Sequence, residues 1–263
     1  MAVLEDPFGC MRQMEAKGPK VWRQDSAVAE VGQWIVVAGG GGLTDLDEGD
    51  EERAVEVYNK QTDMWELAQP MPWKFEGSTY ATGLFVAASE SRLYVIEKKT
   101  GWMSQFEPEN KKWGSTRQMM PNQSISAWSI ATIGKQRLLL VGAEMKVELQ
   151  KREMKVRFWE VDGDNLQAID KKSVEMPAEI VNNLFPDFTR MDDARKHACS
   201  VKEYGTEIGG YIFDPANMKN GVVMYQLSMK SEEGKMVDRW GGSHVRPLLT
   251  IAKWKKYQLG VLR

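Results

Sequence analysis

His197 and His244 are the only imidazoles in the chain, and the first lies close in sequence to Asp192, Asp193 and Cys199. Cysteine with histidine is the pairing of a thiolate nucleophile and its base. Such dyads are assembled from separate segments, so nearness along the chain is a poor guide, and a polar loop leading into a strand is the simpler expectation. A mononuclear copper site built from two histidines and two tyrosines would consume every histidine present and is not expected. Gly39–Gly42 has the outline of a phosphate cradle, but no Gly-Lys-Ser/Thr follows it, and the acidic segment that does follow repels phosphate. That segment, Asp45, Asp47, Glu48, Asp50, Glu51 and Glu52, is the densest charge run in the chain. A calcium loop needs ligands at fixed alternation around a turn glycine; Gly49 is present and the alternation is not. The run reads as a solvated, partner-facing loop able to attract a basic partner electrostatically. No residue is expected to be catalytic, cofactor-binding or metal-ligating.

The elements that would position these residues repeat. Tyr58 and Trp65, Phe106 and Trp113, and Trp159 and Leu166 are pairs seven residues apart, and the steps between pairs are 48 and 53 residues. A period of that size points to a solenoid or propeller array. The first copy is the fullest. Trp34–Ala38 runs into the glycines, and Ala54–Tyr58 follows the acidic loop; a short turn, Trp65 and Pro70-Met71-Pro72 close the unit. The second uses Leu93–Ile96, Met103–Phe106, Trp113 and Met120-Pro121. The third uses Leu138–Gly142, Val156–Trp159, Leu166 and Met176-Pro177. A further run precedes each copy, at Ala27–Val31, Tyr80–Ala88 and Ala127–Ile133. Four β-rich runs separated by Gly, Asn, Asp and Pro turns make a four-stranded antiparallel unit, the design of a propeller blade. Gly39 and Gly40 suit a place where chain passes close to chain. Trp34, Tyr58, Trp65, Phe106, Trp113 and Trp159 are expected to be buried as packing residues.

A glycine doublet after an apolar strand, then Val55-Glu56-Val57-Tyr58, a turn, Trp65 and a Met-Pro close resembles the kelch repeat. The likeness extends through residues 30–73, 80–121 and 127–177, with Glu97-Lys98 and Gly142-Ala143 standing where a doublet is expected. A degenerate fourth copy uses Ala198–Lys202, Ile208–Phe213, Val222–Leu227 and Val237–Trp240. The expected fold is therefore all-β, a partial kelch-type propeller of three clear blades and a degenerate fourth. The chain is most similar to the kelch half of plant F-box/kelch-repeat proteins. That resemblance implies a non-catalytic interaction scaffold that recruits a protein substrate to a cullin-type ubiquitin ligase, and engages the ligase adaptor only where an F-box precedes it. Residues 1–24 contain Asp6, Pro7, Gly9, Gly18 and Pro19 and no amphipathic helical run, so that module is not expected there. A stand-alone binding protein or competitor, and a propeller enzyme acting on a small molecule, remain as alternatives.

The 263 residues are 42% hydrophobic and include ten Trp and eight Phe, which suits one core of large rings. A net charge of −2 leaves no basic footprint for nucleic acid. No apolar run is long enough to span a bilayer, and Glu5 and Asp6 interrupt any signal peptide. The cytoplasm or nucleus is the expected location, and Cys10 and Cys199 suit a reducing compartment. Pro177 and Pro186 bracket Ile180, Val181, Leu184 and Phe185 at helical spacing, which predicts a short helix near 178–185. The expected organisation is an N-terminal segment (1–24), remnant of a preceding blade or irregular, a propeller region (25–247) and a basic tail (248–263).

Overall fold

Short apolar runs broken by residues that favour tight turns can bury both faces only by pairing into small sheets and stacking them. In the computed structural model of the chain, residues 2–5, 11–14, 18–21, 23–40, 51–75, 79–119, 125–148, 151–169, 173–186, 201–205, 209–215 and 222–226 are described. They include four small antiparallel sheets of blade type, with one helix and an N-terminal hairpin. The hairpin pairs β1 (Ala2–Glu5) with β2 (Met11–Met14). The chain divides into two compact units, residues 1–120 with 163–167, and residues 121–162 with 168–263.

The first unit holds two of the sheets. Sheet 1 runs in the order β3 (Ala27–Val31), β4 (Trp34–Ala38), β5 (Val55–Asn59) and β6 (Met64–Ala68). The β5–β6 turn is fixed locally. The Asn59 side chain accepts hydrogen bonds from the Gln61 and Thr62 amides, and Asp63 closes the turn with a positive φ of 55°, a conformation that Asp tolerates better than most side chains. Sheet 2 runs β7 (Leu84–Ala88), β8 (Leu93–Glu97), β9 (Trp102–Glu107) and β10 (Lys112–Trp113), while β11 (Arg117–Gln118) pairs with the start of β9. Val36, Ala38, Val55 and Val57 of sheet 1 share one buried core with Leu93, Val95 and Phe106 of sheet 2. Ile35, Val37, Tyr58 and Trp65 form a second cluster on the other face of sheet 1. Burial on both faces explains why β4 reads as an unbroken apolar run.

The second unit holds sheets 3 and 4. Sheet 3 runs β12 (Ile125–Ile133), β13 (Arg137–Glu148), β14 (Lys151–Asp162) and β15 (Val174–Glu175). Here the chain departs from the short strands expected. The β13–β14 ladder is unbroken from Arg137 opposite Asp162 to Glu148 opposite Lys151, so Gly142 lies mid-strand. The Trp159 ring and Ile125 explain that glycine, because a Cβ there would sit 2.9 Å from Trp159 Cζ3 and 3.0 Å from Ile125 Cδ1. Arg157, between Glu144 (3.1 Å) and Glu175 (3.5 Å), and Lys155, 3.1 Å from Glu175, form an ion-pair ladder on the face away from Val156 and Phe158.

Bonding to Glu175 raises the Lys155 ammonium above its ordinary value of 10.5. A raised value means that the stabilisation is complete below the unfolded-state pKa and is lost as pH rises through the folded one. Lys155→Met is expected to flatten the alkaline limb of the stability profile measured by denaturation at stepped pH, and an unchanged limb would remove Lys155 as its cause.

Helix α1 (Ala178–Leu184) begins after Pro177 and buries Val181 and Leu184 in the core that also holds Phe158 and Ile212. The fourth sheet has three strands among the described residues, β16 (Lys202–Gly205), β17 (Gly209–Phe213) and β18 (Val222–Gln226), in that order. The Gly209-Gly210 pair begins β17, with Gly210 opposite Gly205. Tyr204, Tyr211 and Phe213 stack on one face of this sheet, with centroids 5.2 and 5.9 Å from Tyr204. The expected strand at Val237–Trp240 lies outside the described residues.

Candidate protein-interaction surface

In each sheet of the first unit the connection between the second and third strands leaves from one end. In sheet 1 it runs from Gly39 to Ala54, and in sheet 2 from Lys98 to Gly101. The crossover from β6 to β7, residues 69–83, starts and finishes at that same end. Loops gathered at one end of stacked sheets are where binding residues concentrate, because the sheets hold them and solvent reaches them.

Gly39 and Gly40 lie where β4 leaves its sheet and the chain crosses its neighbours. Their φ angles are +67° and +94°, and their amides donate to Ala54 O (3.0 Å) and Thr79 O (2.9 Å). The segment before β3 is fastened at two points. Glu56, on β5 and fully buried, accepts hydrogen bonds from the amides of Lys20 (2.7 Å) and Val21 (3.1 Å) and pairs with the Arg23 guanidinium, which also donates to Ala54 O. Asp25 accepts from the Thr82 hydroxyl at 2.7 Å and its amide at 3.3 Å, while Asp25 O accepts from the Ala81 amide. Removing the Asp25 carboxylate leaves those donors to water, and alanine at the Asp25 φ of 52° adds backbone strain, so Asp25→Ala is expected to cost about 1–3 kcal/mol. Urea denaturation measures this, and a loss above that range would mean the crossover itself had come apart.

The crossover carries an aromatic and cationic cluster. Trp73, in the 3-10 turn Trp73–Phe75, is 64% exposed. The neighbouring Lys74 Nζ lies 3.8 Å from the Trp73 ring centroid and 4.6 Å from that of Trp102, at the start of β9. Lys98 Nζ lies 4.8 Å from the Phe85 ring and donates to Thr82 O at 2.7 Å. An ammonium over an indole face is held by the ring quadrupole. Tyr80 is exposed at 40%, and Lys99 and Arg117 are exposed beside the cluster. Glu97, at the end of β8, is buried, and its oxygens accept from the Lys99 and Thr100 amides and the Thr100 hydroxyl.

The aromatic repeat-signature residues have packing partners across their strands. Tyr58 is opposite Trp65 across β5–β6 with rings 5.3 Å apart; its hydroxyl donates to Asp63 at 2.6 Å, which raises the phenol above its ordinary 10.0. Phe106 is opposite Trp113 with rings 5.1 Å apart, and the Trp113 indole donates to Gln69 O. Trp159 and Leu166 do not form such a pair. Trp159 is opposite Leu140, and the turn that follows β14 closes further along, with Val161 opposite Ala168 and the Ile169 amide donating to Glu160 O, before β15 meets β14 at Val174 and Glu175. Tyr58, Trp65, Phe106 and Leu166 are buried, whereas Trp34, Trp113 and Trp159, expected to be buried, are only partly so.

Of the acidic run, Asp45, Asp47, Glu48 and Asp50 lie outside the described residues; Glu51 opens the 3-10 turn Glu51–Arg53, and Glu52 is half-buried. Cys10, Asp192, Asp193, His197, Cys199, His244 and the tail 248–263 also lie outside them. Among the described residues no cluster of His, Cys, Asp and Glu is placed to hold a metal ion, and no helix is long and apolar enough to cross a membrane. Sequence reasoning followed the periodic aromatics and missed Trp73, Lys74 and Trp102. Their signal was a tryptophan off the seven-residue register with a lysine beside it.

No family model matches the chain. Over 107 residues it is 34% identical to an F-box/kelch-repeat protein of Arabidopsis thaliana, an alignment covering 40% of this chain and 26% of that protein. Among solved structures, YjhT is 10% identical, with 86% of this chain and 76% of that chain covered at a TM-score of 0.42. The acylaminoacyl peptidase of Pyrococcus horikoshii is 10% identical, with 80% and 31% covered at a TM-score of 0.39. Likenesses at those scores carry no weight for function. The aromatic pairs Tyr58–Trp65 and Phe106–Trp113, the small antiparallel sheets of blade type and the Arabidopsis relative together give this chain a β-propeller fold that resembles the kelch propeller of F-box/kelch-repeat proteins.

Proposed function

We propose that the chain is a non-catalytic protein-recognition module that recruits a protein substrate to a cullin-type ubiquitin ligase in the cytoplasm or nucleus. The likeness to an F-box/kelch-repeat protein carries this reading. The loop end of the first unit supports it, because an exposed tryptophan braced by a lysine is the kind of rigid anchor that dominates protein interfaces. The acidic run from Asp45 to Glu52 belongs to the connection that leaves and re-enters the fold at this end, and we assign it to the partner-facing surface. The repeat signatures Gly39, Gly40, Tyr58, Trp65, Phe106, Trp113, Trp159 and Leu166 have packing roles in this reading. Residues 25–247 form the recognition region, between a segment (1–24) that fastens onto it and a basic tail (248–263).

The test is to co-purify proteins with the tagged chain and then follow the half-lives of the captured proteins as its level is varied. Captured proteins whose turnover follows the level of the chain, and which are lost with a Trp73→Ala and Lys74→Glu variant, are the expected result. Constant half-lives would overturn the ligase assignment.

A further inference from the structure

We infer that Trp73 and Trp102 form a two-indole seat for a lysine of a basic partner segment, and that Lys74 holds this seat in the free chain and is displaced on binding. This deepens the recognition reading above and rests on it.

The seat is shown by its present occupant. Lys74 Nζ lies 3.8 Å from the Trp73 ring centroid and 4.6 Å from that of Trp102, so the two indoles are spaced to flank one ammonium. An indole is the best aromatic partner for a cation, and rings that converge on one point are the arrangement that selects ammonium ligands. The seat opens outward, since Trp73 is 64% exposed and Lys74 is only half-buried. Its backbone is fixed. The Met71 amide donates to Arg53 O at 2.7 Å, the Phe75 amide donates to Pro72 O at 2.9 Å, and Phe75 is fully buried. Lys74 therefore leaves by rotating its own flexible stem while Trp73 keeps its support, which lowers the ordering cost of binding.

The charges at this end favour a basic occupant. The connections that leave the sheets here, residues 39–54, 69–83 and 98–101, carry Asp45, Asp47, Glu48, Asp50, Glu51, Glu52 and Glu76 against Arg53, Lys74, Lys98 and Lys99. Arg117, on β11, is set against Asp25 and Glu97, because the amides and hydroxyls that bond those two acids bring no compensating charge. An acidic field of this kind draws a basic segment to the surface. The arriving lysine then replaces a lysine, so the charge held between the indoles is unchanged. A resident that must leave first lowers the apparent affinity by the fraction of time the seat is open, so Lys74 restrains binding until a partner of sufficient affinity arrives.

The experiment pans a random peptide library displayed on phage against the immobilised full chain, both unsubstituted and with Lys74→Ala, and measures a fluorescein-labelled peptide of the selected consensus by anisotropy. The expected result is a consensus that contains lysine and binds the Lys74→Ala chain about threefold or more tighter than the unsubstituted one. Replacing the consensus lysine by norleucine, or adding Trp102→Leu to Lys74→Ala, should weaken binding about tenfold, while Trp102→Phe, which keeps a ring, should retain most of it. Circular dichroism and thermal melts confirm that the variants fold. A consensus without lysine, or one bound no more tightly by Lys74→Ala, would overturn the inference while leaving peptide recognition intact. An acidic consensus selected by the unsubstituted chain and not bound by Lys74→Ala would overturn it by making Lys74 itself the recognition element. Recovery of no peptide from either form would count against both readings.

Discussion

Glu56→Ala is expected to be among the most destabilising substitutions in the chain, costing about 3–5 kcal/mol. Its side chain is fully buried, and that of Arg23 is only 2% exposed. Truncation would strand the guanidinium charge away from water and release the amides of Lys20 and Val21 together. The cost comes from leaving one charge buried and unpaired, so replacing both partners is the informative control. An Arg23→Met, Glu56→Leu double variant should recover much of the loss, because a well-packed apolar pair avoids desolvating either ion. Urea midpoints for the two single variants and the double variant complete the cycle. A loss below about 1 kcal/mol for Glu56→Ala would place this pair with ordinary surface ion pairs and contradict the clamp.

Gly39→Ala is the second large effect, expected at about 2–5 kcal/mol. Two costs add. At φ +67° an alanine sits in the left-handed region, and its Cβ would be 2.2 Å from Thr79 O. The oxygen belongs to backbone that already accepts the Gly40 amide, so it cannot turn aside without breaking that bond. A substitution one position earlier serves as the comparison. Ala38→Gly leaves the crossing intact and removes only a buried methyl, at about 1 kcal/mol. If Gly39→Ala proved no worse than Ala38→Gly, the close approach of β4 to the crossover would not be what fixes the glycine.

Much of the fold could be read because its signals are local. A turn such as Asn59–Asp63 announces itself through residues that bond their own backbone, and the helix Ala178–Leu184 is framed by prolines with apolar residues at helical spacing. The third sheet was less legible. Nothing in the run from Met145 to Met154 marks an end to pairing, so strands expected to be short continue to the hairpin at Glu148 and Lys151. The Trp159–Leu166 spacing repeats the number seven, but the turn there closes further along, at Val161 and Ala168, so the two residues do not face each other.

The proposed binding surface was hidden for a different reason. Lys74 and Trp102 are far apart in sequence and meet only because the crossover lies over the start of β9, which no periodicity encodes. Glu56 reads as a polar position in an alternating strand. It is a buried anion because Arg23, from an irregular segment, reaches it.

The central claim is that the chain recognises another protein through the crossover end of its first unit. A photo-crosslinking amino acid placed at Trp73 in cells, compared with one at the exposed Val28 on β3, tests that most directly. Discrete adducts from position 73, absent from position 28 and lost on adding Trp102→Leu, are the predicted result. Adducts of equal intensity from both positions, or from Val28 alone, would contradict it.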